Sequence, residues 1–143
     1  MLKGISPLLS PDLLKIMMEM GHGDEICIGD GNFPSANYGR RLVRLDGHGI
    51  PEILEAMLPL FPLDTFVPKP VFVMDPGDPS VGDPPIWERY RSEVVAVEPD
   101  FSGFERVERF AFYERAKSAY CVVATAEAAL YANIILKKGV IAP

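Results

Sequence analysis

The stretch "SPDLLKIMMEMGHGDEICIG", Ser10 to Gly29, passes from helix to strand within a few residues, and that passage decides the class of fold. Ser10 stands where an N-cap is needed. Pro11 takes the first helical position, whose N–H has no intrahelical partner in any case, and Asp12 lies at the positive end of the helix dipole. Leu13, Leu14, Ile16, Met17 and Met20 form one apolar stripe, and Gly21 supplies the stop. "EICIG" then reads as a short buried strand.

The same alternation continues outward. "RRLVRL" (40–45) reads as a strand, and "GIPEILEAMLPLF" (49–61) as a helix entered with proline and frayed or kinked at Pro59. "PVFVMD" (70–75) is a third strand, followed by the surface loop "PGDPSVGDPP" (76–85). A helix begins near Ile86 and carries Trp87, Tyr90 and Val94. "FERVER" (104–109), "YCVVATA" (120–126) and "NIILKKGVI" (133–141) complete the strands, with "FAFYERAKSA" (110–119) as a helix between the first two. "DGNFPSANYG" (30–39) reads as a loop. Strands that are apolar rather than cleanly alternating belong in a sheet covered on both faces, so the fold expected is an α/β sandwich with a largely parallel or mixed sheet. No repeat or break in composition divides residues 1–143, which predicts one domain.

Composition narrows the function. With 48% apolar residues and 24% charged ones, the chain is globular rather than disordered. A net charge of −6 without a Lys/Arg cluster argues against nucleic acid as partner. The uncharged runs fall well short of the ~20 residues that cross a bilayer, and "MLKGISPLLSP" lacks the apolar block of a signal peptide. Cys27 and Cys121 sit in apolar runs and read as reduced core residues, so a cytoplasmic protein is expected. Two scattered histidines and two buried cysteines offer no metal cluster, and no phosphate loop or nucleophile elbow is present.

Polar side chains stand out at three places. "GHGDEICIGDG" (21–31) holds His22 and Asp30 between glycines, on either side of one strand. Imidazole can both give and take a proton near working pH, so His22 reads as a general acid or base; equally, a histidine at a helix C-terminus can simply complement the dipole. His48 in a helix-entry loop takes the plainer reading. Arg109 lies among aromatics at a strand-to-helix junction, and Tyr131 and Asn133 stand just before the last strand. Tyr, Asn, Asp and Arg offer directed donors and acceptors suited to hydroxyl groups, although Tyr131 also fits a core role and Asn133 a turn cap. Eight extended residues span about 26 Å, so His22 and Asp30 cannot meet one small ligand across a straight strand. Either the chain curls at Gly21, Gly23 and Gly29, or the site is assembled between subunits.

Taken together, "LLSPDLLKIMMEMGHGDEICIGDGNFP", "RFAFYERAK" and "LYANIILKKGV" resemble a family of sugar mutarotases that has a fucose branch and a ribose branch. Arg109, "NFP" after Asp30 and "PLDTFV" around Asp64 are similar to the fucose branch; Ala132 is usual in the ribose branch, and "TAE" at Thr125–Glu127 replaces a Thr-Gly-Glu. The resemblance implies a three-layer α/β sandwich and cofactor-free interconversion of the anomers of a reducing monosaccharide, L-fucose or a close relative. It implies that His22 is the proton donor and that Asp30, Arg109, Tyr131, Ala132 and Asn133 bind the sugar. It also implies a homo-oligomer, typically a decameric ring, with the site near a subunit interface. Two other readings are a ribose-type enzyme converting pyranose to furanose and a non-catalytic sugar-binding accessory of uptake.

Overall fold

The computed structural model describes all residues, Met1–Pro143. In chain order the elements are α1 (Pro11–Glu19), β1 (Glu25–Gly29), α2 (Ser35–Tyr38), β2 (Leu42–Leu45), α3 (Ile50–Met57) continued by a 3-10 turn over Leu58–Leu60, β3 (Val71–Met74), α4 (Ile86–Val97), β4 (Glu105–Val107), α5 (Arg109–Ser118), β5 (Cys121–Thr125) and β6 (Ile134–Lys137). The Ser10 hydroxyl accepts the Leu13 N–H at 3.2 Å, which caps α1 as its sequence requires. The helix stops one residue before the last apolar position: Met20 is already extended and gives its N–H to Ile16. The left-handed residue of the following loop is Gly23, at φ +85°, not Gly21.

The six strands form one sheet in the order β2-β5-β1-β6-β3-β4. β1 and β2 run parallel to β5, and β3 parallel to β4; β6 alone runs against its neighbours β1 and β3. The sheet is therefore mixed, with parallel pairs in the majority. Its pleat sorts the apolar runs onto two faces. Ile26 and Ile28 of β1, Val71 and Val73 of β3 and Ile134 and Leu136 of β6 face α1, α3 and α4 in the larger core. Cys27, Phe72, Met74 and Ile135 face the other way, against Phe33 and the Phe112 and Ala116 of α5. Each buried Ile or Leu contributes about 1.5–3 kcal/mol, so the thick face supplies most of the stability, and the thin face is free to carry polar work. These layers explain why the inner strands are mainly apolar, while the edge strands β2 and β4 carry exposed Arg44, Glu105 and Arg106.

Two elements differ from the sequence reading. Within the 30–39 loop, Ser35–Tyr38 makes one helical turn, too short to leave a periodic signal. The last strand ends at Lys137 instead of reaching Ile141. At Gly139 the chain passes directly against the Leu63 carbonyl, where any side chain would collide, and pairing gives way to a single bridge between Leu63 and Lys138. Cys27 and Cys121 are free and buried. No helix is long and apolar enough to cross a membrane.

Candidate active site

β1 keeps regular pairing with β5 from Ile26 to Gly29 and with β6 from Glu25 to Ile28. The sharp curl considered above does not occur, and the sequence-predicted residues separate onto two edges of the sheet.

On the edge where β1 begins, His22 projects from the loop between α1 and β1. Its Nε2 lies 3.1 Å from Oδ1 of Asp64, its side chain is 44% exposed, and its ring leans on Phe66 at 5.0 Å between centroids. Half-exposure leaves the imidazole able to meet a ligand while one nitrogen stays anchored. Asp64 is buried and also accepts the Phe66 N–H at 2.9 Å. Burial alone would push its carboxyl up, but the Phe66 amide and the His22 imidazole outweigh that and hold it below the usual carboxylate range. An ionised carboxylate only accepts, so Nε2, the ring nitrogen that faces Asp64, is the one that donates, and Nδ1 is turned away from it. A base oriented by a carboxylate is the arrangement that proton-transfer sites use. Asp64 was not among the sequence candidates. It lies 42 residues from His22, and its one local signal is an acidic residue inside the apolar segment "FPLDTFV".

On the opposite edge, Asp30, Arg109, Tyr131 and Asn133 line one hollow of about 210 Å³ with Phe33 and Tyr113. This is the carboxyl edge of the parallel strands, where open α/β sheets place their sites. Asn133 Oδ1 accepts the Asp30 N–H at 2.7 Å, and Asp30 Oδ1 accepts the Asn32 N–H at 2.9 Å. Burial holds the Asp30 carboxyl above its usual range, opposed by the amides of Asn32, Phe33 and Ala132. Arg109, the first residue of α5, is exposed; its Nε donates to the Tyr113 hydroxyl at 3.3 Å. Ala132 is fully buried, backbone included, and is not among the residues lining the hollow; its carbonyl accepts the Tyr90 hydroxyl and its amide faces Asp30.

Tyr131 has a left-handed backbone, φ +54°, which costs a non-glycine residue about 1–2 kcal/mol. Two side chains of α4 hold it there. Trp87 Nε1 donates to the Tyr131 carbonyl at 3.1 Å, and the buried Tyr90 hydroxyl donates to the Ala132 carbonyl at 2.7 Å. The sequence reading placed Trp87 and Tyr90 on this helix without assigning them a polar task. His48 does take the plainer role, 3.3 Å from Glu52 on the first turn of α3.

A helix-covered mixed sheet, a polar cleft at its carboxyl edge and a carboxylate-held imidazole at the other edge together define an α/β protein built around a small polar ligand. Residues 3–141 match the RbsD / FucU transport protein family, and the chain belongs to it. It is 52% identical to the fucose mutarotase of Bos taurus over 148 residues, covering 99% of this chain and 95% of that one. Among solved structures it is similar to the fucose mutarotase of Streptococcus pneumoniae in complex with L-fucose, with TM-score 0.91, 48% identity, and 99% and 100% of the two chains covered. Bacillus subtilis RbsD complexed with D-ribose shares the fold, with TM-score 0.74 and 21% identity over 99% and 100% of the two chains.

Proposed function

We propose that this chain is an L-fucose mutarotase, an isomerase that interconverts α and β anomers by opening and reclosing the sugar ring. The observation that carries the reading is the His22–Asp64 pair. Near full-length likeness to fucose mutarotases supports the choice of sugar. Ring opening is proton traffic alone: a proton reaches the ring oxygen, another leaves the anomeric hydroxyl, and the C–O bond of the ring breaks to give the aldehyde. Rotation about one carbon–carbon bond and reclosure give the other anomer. Neither metal nor cofactor is required. His22 Nδ1 exchanges these protons while Asp64 steadies the imidazolium, an assistance worth about two to four powers of ten. Asp30, Asn133 and Tyr131 hold the hydroxyls, Ala132 steadies Asp30 through its amide, and the Arg109 guanidinium stabilises negative charge developing on oxygen.

Because His22 and the Asp30 cluster occupy opposite edges, one copy holds the sugar and the His22 of another completes the site. An apolar hollow of about 680 Å³ beside His22, lined by Met17, Met18, Leu60, Val140 and Ile141, suits a second copy better than a sugar. The assembly is a homo-oligomer, a decamer on the family resemblance, working in the cytoplasm. Saturation-transfer NMR on a panel of free sugars tests the reading: the protein accelerates anomer exchange of L-fucose above the rest. No acceleration on any sugar would overturn it. The family's description as transport proteins favours a second reading, a sugar binder without catalysis, under which His22→Ala would leave the protein's behaviour unchanged.

A further inference from the structure

We propose that Lys138 is a positioning residue for His22, clamping the loop that carries the imidazole so that the ring stays on Asp64. The inference rests on the mutarotase reading and extends it to a residue that touches neither sugar nor imidazole.

Helix α1 ends without a basic residue in its last turn, so its final carbonyls lack the local cation that would complement them. Lys138 supplies one from the far end of the chain. Its Nζ donates to the carbonyl of Met17 at 2.7 Å and to that of Met20 at 2.5 Å. Its backbone is tied to the same loop twice: Gly23 N–H donates to the Lys138 carbonyl and Lys138 N–H to the Asp24 carbonyl, both at 2.8 Å. Within the loop, Asp24 accepts the Gly21 N–H at 2.7 Å. His22 is thus bracketed by Met20 before it and by Gly23 and Asp24 after it, all three bonded to one lysine.

The same short segment holds Asp64. Asp64 N–H donates to the Lys137 carbonyl at 3.0 Å, and Gly139 N–H donates to the Pro62 carbonyl at 2.8 Å. Two segments 42 residues apart meet at 3.1 Å because both are stitched to residues 137–139. The Asp64 side of that stitch is backbone alone. Lys137 reaches Glu25 at the start of β1, but on the 20–24 loop itself the Lys138 ammonium is the one side-chain contribution from the 137–139 segment, and a substitution can remove it without disturbing the backbone bonds of Asp64. The Lys138 ammonium bonds only the Met17 and Met20 carbonyls and none of the residues lining the Asp30 hollow, so its loss reaches the proton-transfer step and leaves the grip on the sugar intact.

The test is Lys138→Met, which keeps an apolar stem in the wall of the hollow and deletes the ammonium. The oligomer is assayed by saturation-transfer NMR, with imidazole 15N spectra of His22 assigned against a His48→Gln variant. The expected result is a fall in kcat of about 10- to 100-fold, the scale on which small misplacements act. KM should stay unchanged, the His22 ring resonances should shift, and Lys138→Arg, whose fork reaches both carbonyls, should restore activity. Lys15→Met, an exposed lysine on the same helix, should behave as wild type. Wild-type kcat in Lys138→Met, a loss confined to KM, or unmoved His22 resonances would overturn the proposal. Should Lys138→Met fail to fold, Lys138→Ala also deletes the ammonium and is judged by the same readouts. Wild-type protein without anomer exchange would fail the functional reading alone, since the His22 resonances still report the clamp.

Discussion

The two edges of β1 carry opposite kinds of chemistry. Where the strand begins there is one titratable ring on one buried carboxylate, beside a mainly apolar hollow. Where it ends Asp30, Asn32, Arg109 and Asn133 surround a small hollow with three aromatics, Phe33, Tyr113 and Tyr131, and no histidine. That hollow, about 210 Å³, falls below the roughly 300–1,000 Å³ of ordinary ligand sites. One edge carries the imidazole on its carboxylate; the other carries the polar cluster around the buried Asp30 carboxyl. On the proposed function each is half of a site, and a straight strand keeps the two apart within one copy.

The largest effect that separates the edges is expected from His22→Ala. Anomer exchange should drop by about 10²- to 10⁴-fold while sugar affinity, read by titration of the same variant, stays near wild type. Loss of affinity along with exchange would mean that the imidazole belongs to the grip. Asp64→Asn sharpens the first edge. Replacing a charge-assisted hydrogen bond worth about 1.5–3 kcal/mol should slow exchange by about 10- to 100-fold in steady-state kinetics, again with little change in KM. Tyr90→Phe probes the second edge from behind. Leaving the Ala132 carbonyl unpaired should lower stability by about 1–3 kcal/mol in denaturant unfolding and raise KM more than it lowers kcat. The reverse pattern would place the Tyr131–Asn133 segment in the chemistry.

The smallest effect lies in the pH dependence of stability, where the two carboxylates pull in opposite directions. Asp64 is held below its unfolded value, so its contribution is present above the ordinary carboxylate range and is lost as pH falls through the folded pKa. Asp30 is held above its unfolded value. Its contribution is complete in acid and is lost as pH rises through the folded pKa. Unfolding midpoints across acid to neutral pH should therefore show Asp64→Asn removing stability mainly at neutral pH. Asp30→Asn should remove the opposite slope. Parallel profiles for the two variants would contradict the assigned environments.

Much of this was legible in the chain because it is local. Ser10, Pro11 and the 3.6-residue stripe specify α1, and apolar runs flanked by glycine and proline specify the strands. Arg109 at a junction, and Tyr131 and Asn133 before a strand, mark the polar cluster by residue type. What was illegible is long-range. Nothing in "NIILKKGVI" announces that β6 runs antiparallel between β1 and β3, because strand direction is set by how the chain returns to the sheet and not by its own composition. Asp64 is invisible as a partner for His22 because the pair exists only through the 137–139 stitch. Trp87 and Tyr90 read as helix-borne aromatics by spacing, and the N–H and O–H they place on the Tyr131 and Ala132 carbonyls become visible only in the fold. The glycines invited a curl that β1 does not make, since pairing on both sides keeps it straight.

The claim that the site is divided between copies is tested most directly by mixing two inactive variants, His22→Ala and Asp30→Asn, dissociating and reassociating them together, and measuring L-fucose anomer exchange. Sites shared across an interface should regain activity, with about a quarter of positions combining an intact imidazole and an intact sugar grip after random mixing. A mixture no more active than the sum of its two components, in a protein that nonetheless assembles, would contradict the account.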